Sequence, residues 1–237
     1  MSGAARRIAA WIDELLFPEK TGCLCCGRAL DEEEGGLCAA CTQALEALEA
    51  RQEENERRGM GEIAPGLAYV HAAYPYEGQA RALILRLKFE SIRAAAVPLA
   101  RAMCMLPTGE EDVLVPVPTT RRRLRRRGFN QAALLAGEIA RELGMPVENA
   151  LERVDERAAQ STLSAGGRRR NLVGCMRTSA DVSGRRILLV DDVYTTGSTA
   201  QEAARALLEA GARSVGMLSA ARASAPDEEA RRLPFWP

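Results

Sequence analysis

Apolar residues recur along this chain at two spacings, and the switches between them mark its elements. Near the start, Ile8, Trp11, Ile12, Leu15 and Leu16 share one side of a helical wheel and Pro18 follows, which predicts an amphipathic helix over residues 1–17. Residues 42–58 predict a second helix, with sparse leucines on one face and charges on the other. Gly59, Gly61, Pro65 and Gly66 then mark a turn or linker. Residues 67–76 read as extended, and residues 79–89 as a helix with Leu83, Ile84 and Leu87 on its apolar side. A short buried strand is expected at 113–117, and a helix over 130–143 closed by Gly144. The unbroken apolar run at 187–190 reads as a strand and 215–218 as another, separated by a helix over 199–210 that Gly211 stops.

Short, uniformly apolar strands alternating with helices predict an α/β fold, with an open, mostly parallel sheet flanked by helices on both faces. The expected organisation is a small N-terminal part over 1–58, holding the leading helix, clustered cysteines and linking helix, and a main domain over 63–237. Apolar residues make up 47% of the chain, enough to fill a core and unlike a disordered sequence. Lysine and arginine number 32 against 32 acidic residues, so the chain is not globally cationic, although local patches remain open. No apolar stretch approaches the roughly 18 residues of a membrane span. Asp13 and Glu14 interrupt the leading helix, which lacks the apolar core of a signal peptide, so a cytoplasmic location is expected. That helix is expected to pack on its own protein, with a membrane surface or a partner as the alternatives.

Ile187-Leu188-Leu189-Val190-Asp191-Asp192-Val193-Tyr194-Thr195-Thr196-Gly197-Ser198-Thr199 is the most informative segment. An apolar strand delivers two carboxylates at its C-terminal end, where ligands bind in open α/β sheets. Gly197 permits a sharp turn into the next helix, so freed amides and the hydroxyls of Thr195, Thr196, Ser198 and Thr199 converge on one place and suit a phosphate dianion. Carboxylates beside a bare phosphate would repel it, so their useful targets are hydroxyl donors or a divalent cation. A ribose attached to that phosphate satisfies both halves of the motif. The Gly-x4-Gly-Lys pattern of a P-loop is missing. The plainer alternatives are a metal-binding Asp-Asp pair and a simple helix cap.

This string resembles the 5-phosphoribosyl-1-diphosphate loop of type I phosphoribosyltransferases. Together with CLCCG, LCAAC, LKFE, VPVP, RRGFNQ, then Arg157, Gln160, Leu163, Arg169 or Arg170 and Asn171, it resembles the ComF family of competence-associated proteins. One departure is visible: where that family shows Gly-Ala-Phe after Asn171, this chain has Gly174-Cys175-Met176. The resemblance implies a type I phosphoribosyltransferase-like sheet, 5-phosphoribosyl-1-diphosphate as ligand and a role linked to DNA uptake.

Transfer of a phosphoribosyl group lets diphosphate depart from C1, and magnesium with cationic donors is the physical answer to the charge that gathers there. By resemblance, the turn after Val115-Pro116-Val117-Pro118 is the diphosphate-binding turn, with the N–H groups of Thr119 and Thr120 as donors. The run from Arg121 to Arg127 holds six arginines around Leu124 and admits three readings: a solvated loop, diphosphate capture, or nucleic-acid contact. Arg127 leads into Gly128, Phe129 as an anchor and Asn130 as an N-cap. The resemblance also implies a mobile lid, for which Arg157, Arg169 and Arg170 are the candidates to close on diphosphate. Lys88 could be an ordinary helical lysine, but the resemblance raises it to a candidate binding residue.

Cys23, Cys26, Cys38 and Cys41 form two C-x2-C units separated by 11 residues, the pattern of a structural four-sulfur zinc site. A redox pair or an iron–sulfur centre is the alternative. Cys25 is left as a spare thiol, while Cys104 and Cys175 read as core thiols. His71, the single histidine, is expected in a local hydrogen bond.

The function expected from these residues is magnesium-dependent transfer of a phosphoribosyl group, with Asp191, Asp192, Arg157, Arg169 and Arg170 as the reacting-end residues and the acceptor undefined. The rival is a non-catalytic adaptor in which a zinc module docks a partner of the competence machinery and the arginines contact single-stranded DNA.

Overall fold

Strand residues alternate between two sides, and here each side is apolar, so the sheet needs cover on both faces. The computed structural model describes residues 22–31, 34–59, 62–154 and 174–223. The strands β1 (Val70–Pro75), β2 (Val113–Pro116), β5 (Arg186–Tyr194) and β6 (Ser214–Arg222) form a four-stranded parallel sheet in the order β1-β6-β5-β2. The short strands β3 (Leu151–Arg153) and β4 (Met176–Thr178) pair antiparallel in a separate two-stranded sheet.

On one face, Leu114, Leu188, Val190 and Leu218 pack against α2 (Gly78–Phe89), α3 (Ala96–Cys104) and α5 (Gln131–Leu143) through Leu83, Ile84, Leu87, Leu99, Met103, Leu135 and Ile139. On the other, Val113, Val115, Ile187, Leu189, Val215 and Met217 meet Ala203 and Leu207 of α6 (Ser198–Glu209), with Leu151 and Met176 beside them. Leu188 is fully buried at the centre of the first face; its truncation to alanine would cost roughly 2–5 kcal/mol. Met176 stands where the family resemblance has an aromatic, and it fills that place as a buried core residue.

The helix expected over 42–58 runs as α1 (Ala39–Arg57). Its buried residues Cys41, Leu45, Leu48 and Gln52 recur at helical spacing. They join the cysteine loop to the first core: Cys23, Leu24, Leu45 and Leu48 lie in the same cluster as Leu83 and Leu99. Glutamates of α1 also cover the outer edge of β1. The Glu56 carboxylate accepts from Ala72 N–H at 3.0 Å and meets His71 Nδ1 at 2.7 Å, while Tyr74 Oη donates to Glu49 at 2.8 Å. An edge strand whose backbone is capped in this way is a poor template for pairing with another chain. His71 thus makes the local bond expected of it.

The helix α3 and the strands β3 and β4 are not expected from the sequence, and β6 is longer than the expected 215–218; two further elements differ in kind or extent. The strand expected to stop at Val190 continues through Tyr194, because β6 extends alongside it to pair Asp191 with Ser219 and Val193 with Ala221. The arginine run is helical: α4 (Arg121–Arg127) is capped by Thr120, whose side chain accepts from Arg123 N–H at 3.2 Å. Arginine has good intrinsic helix propensity, which a reading based on charge alone overlooks. The helix expected over 1–17 lies outside the described residues.

Candidate functional site

The C-terminal ends of β2 and β5 lie side by side, since Pro116 pairs with Val190 and Val117 N–H donates to Val190 O at 2.9 Å. Two loops leave the sheet together there: Val117–Thr120 from β2 and Thr195–Gly197 from β5. In a doubly covered parallel sheet this edge is where backbone groups and side chains can face a ligand.

The turn after β5 is built around Gly197. Its φ of +74° is left-handed, a conformation side chains disfavour, and as the N-cap of α6 it offers no side-chain acceptor to the first-turn amides, of which Ser198 N–H makes a long contact of 3.5 Å to Thr196 Oγ1. Those N–H groups carry the positive end of the helix dipole, and no acidic residue stands in the first turn to compete for them. Thr196 and Ser198 hold their hydroxyl oxygens 2.9 Å apart, one donating to the other. Asp191, Thr195, Gly197 and Thr199 line a small hollow together with Met217. An anion with hydroxyls attached fits that set of donors and acceptors.

Strand alternation sends the two carboxylates to opposite sides. Asp191 lines the hollow on the α6 side, and its Oδ1 accepts from Asp192 N–H at 2.8 Å. Asp192 is only 8% exposed and faces the other helices, where Lys88 Nζ lies 2.9 Å from its Oδ1. Lys88 reaches it from the last turn of α2, so one carboxylate of the pair carries a cation directly against it. Burial, and then the neighbouring Asp192 charge, push Asp191 up to about 7, against the opposing pull of the Asp192 amide, Lys88 and Arg153.

Arg127 sits at the end of α4 with its guanidinium 5.1 Å over the Phe89 ring, and Asp192 is among the charges acting on it. Burial, followed by the nearby charge of Arg123, lowers its proton affinity below the ordinary guanidinium range. Its Nε is buried with no hydrogen-bond partner among the described residues. Phe129 is buried as an anchor, under the Arg93 guanidinium at 4.9 Å, and Asn130 caps α5 by accepting from Ala132 N–H at 3.3 Å. Asn130 Nδ2 also donates to Val117 O at 3.0 Å, which ties the start of α5 to the turn carrying Thr119 and Thr120.

The structure therefore brings Lys88, Arg127, Asp191 and Asp192 together at the strand ends, with Thr195, Thr196, Gly197, Ser198 and Thr199 in the adjoining turn. Thr119 and Thr120 lie half-buried in the loop beyond the neighbouring strand. Arg157, Arg169 and Arg170 lie outside the described residues. Three contributors escaped the sequence reading. Arg153 Nε donates to Pro118 O at 3.3 Å and its charge reaches Asp191. Glu202 is 3% exposed; it accepts from Met176 N–H at 3.1 Å and pairs with Arg205 at 2.8 Å. A glutamate on the apolar side of α6 was the available signal. The third is Tyr194, buried at the end of β5 directly before the turn.

The four candidate metal ligands also come together. The Sγ atoms of Cys23, Cys26, Cys38 and Cys41 all lie within 4.8 Å of one another, and Cys26 and Cys38 are 3.8 Å apart. A tetrahedron with zinc–sulfur bonds of about 2.3 Å has edges of about 3.8 Å, so the donor set fits that ion. Burial raises Cys23, but amides of Cys26, Cys38 and Cys25 outweigh it and hold the thiol at about 6; Cys41 is pushed up by burial and by its sulfur neighbours. One cation satisfies such unlike thiols together by displacing their protons. Cys25 turns away and donates to Gln79 O at 3.6 Å.

The family model described as Phosphoribosyl transferase domain matches residues 130–234. Competence protein ComFC of Bacillus subtilis (strain 168) is 30% identical over 205 residues, covering 83% of this chain and 82% of that protein. DNA utilization protein YhgH of Escherichia coli O157:H7 is 40% identical over 142 residues, or 56% of this chain, and the match spans 63% of the length of that relative. Competence protein F of Haemophilus influenzae (strain Rd) is 38% identical over 116 residues, 47% of this chain and 51% of that protein. Among solved structures, the glutamine phosphoribosylpyrophosphate amidotransferase of B. subtilis aligns over 54% of this chain and 26% of its own, at 22% identity and a TM-score of 0.41.

Proposed function

Because this chain belongs to the ComF family of competence-associated proteins, within the type I phosphoribosyltransferase superfamily, we propose that it binds 5-phosphoribosyl-1-diphosphate with magnesium and transfers the phosphoribosyl group to a nitrogen acceptor. The observation that carries this reading is the glycine-capped start of α6 opening onto a hollow that Asp191 also lines.

In this reading the 5-phosphate sits on the amides and hydroxyls of Thr195–Thr199. The sugar hydroxyls donate to Asp191 in the hollow, while Lys88 holds the Asp192 carboxylate on the opposite side of the strand end. The diphosphate end faces the N–H groups of Thr119 and Thr120 and the cations Arg127 and Arg153, with Arg157, Arg169 and Arg170 as the lid. Magnesium, when bound with the substrate, offsets the charge on the diphosphate oxygens. The C1–oxygen bond breaks with its electron pair leaving on diphosphate, and the acceptor nitrogen supplies the pair for the new C1–nitrogen bond. Departure ahead of attack removes the need for a strong base at the first step. The cysteine cluster holds a structural zinc, in a module whose own core would otherwise be small. The names of the relatives support a place in DNA uptake or use.

A screen of heterocyclic bases and amines for diphosphate release, with Asp191→Asn/Asp192→Asn as control, tests the reaction. Release that depends on one acceptor and vanishes in the double variant supports transfer. No release with any acceptor, despite binding of the sugar phosphate, removes transfer from the account. A second reading is favoured by one observation: Arg122, Arg123, Arg125 and Arg126 are exposed along α4, as a surface for a nucleic-acid backbone would be. Salt-sensitive binding of single-stranded DNA with no sugar-phosphate binding would select that adaptor role instead.

A further inference from the structure

The phosphate turn rests on a segment more than a hundred residues away in sequence. Tyr194 closes β5 and is 4% exposed, yet its hydroxyl is fully used. It accepts from Ala64 N–H at 2.9 Å and donates to Glu62 O at 3.0 Å. Arg222, at the end of β6, stacks its guanidinium 4.8 Å over the same ring and reaches Glu62 O at 3.4 Å and Val70 O at 3.1 Å. Gly197 lies directly against this assembly: a Cβ there would stand 2.6 Å from Tyr194 Oη and 2.8 Å from the Ala64 methyl. The segment then turns, with Leu67 N–H donating to Ala64 O at 3.2 Å, and a Cβ on Gly66 would touch Ala204 and Leu208 of α6 at 3.4 Å. The strap is thus seated against both halves of the anion-binding element, its turn and its helix.

We propose that Tyr194 is a positioning residue that holds the strap Glu62–Ala64 beneath Gly197 and thereby sets the direction of the turn amides toward the sugar phosphate. This inference rests on the reading of that turn as the phosphate site. Core packing alone would be served by phenylalanine; the two hydrogen bonds to a distant backbone are what fix the height of the strap under the turn. When the hydroxyl is removed Ala64 N–H loses its acceptor and Glu62 O keeps only the longer contact from Arg222 at 3.4 Å, so the floor on which Gly197 sits becomes free to shift. A cradle of amides binds a dianion only when they converge, so a small displacement weakens the phosphate end selectively.

The test compares Tyr194→Phe with Tyr74→Phe, which removes another buried tyrosine hydroxyl, the one bonded to Glu49 away from the turn. Amide hydrogen exchange of the peptide covering 195–199 is measured, together with affinity for ribose 5-phosphate and, separately, for magnesium diphosphate. Tyr194→Phe is expected to speed exchange in that peptide and to weaken ribose 5-phosphate roughly tenfold, leaving diphosphate affinity unchanged. Tyr74→Phe is expected to do neither, though both lower the melting temperature. Ala64→Gly, a milder change that removes the methyl under Gly197, should act in the same direction if Tyr194→Phe does not fold. Exchange at 195–199 that matches wild type in both Tyr194→Phe and Ala64→Gly overturns the clamp. Ribose 5-phosphate that fails to bind even wild type overturns the phosphate reading instead, while the exchange data still decide whether the strap sets the turn.

Discussion

Replacing Asp191 by asparagine isolates what the hollow does to a charge. The asparagine carbonyl can keep the 2.8 Å bond from Asp192 N–H, and the side-chain volume hardly changes, so ionisation is the main thing lost. In the folded protein burial and Asp192 raise this carboxyl from 3.8 to about 7. The unfolded chain, with the lower pKa, ionises first as pH rises. Wild-type stability therefore falls from about pH 4 to pH 7, and the deficit is constant above that. Each tenfold difference in proton affinity is worth about 1.4 kcal/mol, which gives an upper bound of roughly 4 kcal/mol at pH 8. Solvent at the mouth of the hollow screens the charge and reduces this, so roughly 2–3 kcal/mol is the expected difference. Urea unfolding of both proteins at pH 5, 6, 7 and 8, without ligand, reads it directly. The Asp191→Asn variant has no charge to bury, so its advantage over wild type should widen from pH 5 to pH 7 and then stay level. The cysteine cluster is common to both proteins, so its own pH dependence cancels in the difference. An advantage that stays the same at every pH would refute the claim that the fold forces this carboxyl toward its neutral form.

Further outcomes follow from single contacts. Lys88→Met strands the buried Asp192 carboxylate and should cost roughly 1–3 kcal/mol, seen as a lower urea midpoint; an unchanged midpoint would show the ion pair to be idle. Glu202→Gln leaves Arg205 without its buried partner, and roughly 1–3 kcal/mol should be lost, with faster amide exchange at Met176; protection there equal to wild type contradicts the role given to Glu202. Metal analysis should find one zinc per chain, and stripping it with a chelator should loosen α1, as seen by circular dichroism; well under one equivalent in freshly purified protein removes the zinc site. Substituting Arg157, Arg169 and Arg170 together with alanine should weaken 5-phosphoribosyl-1-diphosphate while sparing ribose 5-phosphate, and wild-type affinity for both ligands eliminates the lid.

Much of this fold could be read from local pattern because each segment carries its own signal. The apolar runs at Ile187–Val190 and Val215–Leu218, the capped helix after Asn130 and the paired cysteines each specify their conformation within a few residues. The glycine turn at Thr195–Thr199 was legible for the same reason, since glycine, hydroxyls and strand end are contiguous. What escaped notice depends on contacts distant in sequence. Lys88 gains its role only from α2, which places it 2.9 Å from Asp192. Arg153 and Glu202 gain meaning only from the carboxyl and amide they reach across the fold. Tyr194 carries no local signal, because its partners Glu62 and Ala64 are brought beneath it only by the folded β1 and β6. The alternation that separates Asp191 from Asp192 was foreseeable in principle, had the strand been extended four residues further.

The most direct measurement of the central claim is calorimetric titration of 5-phosphoribosyl-1-diphosphate with magnesium into wild type and Gly197→Ala. A Cβ at this left-handed position would collide with Tyr194 Oη at 2.6 Å, so the variant should fold with a distorted turn. The account predicts saturable binding to wild type, weakened by at least about tenfold in the variant. Equal binding to a folded variant, or no binding to wild type, would contradict it.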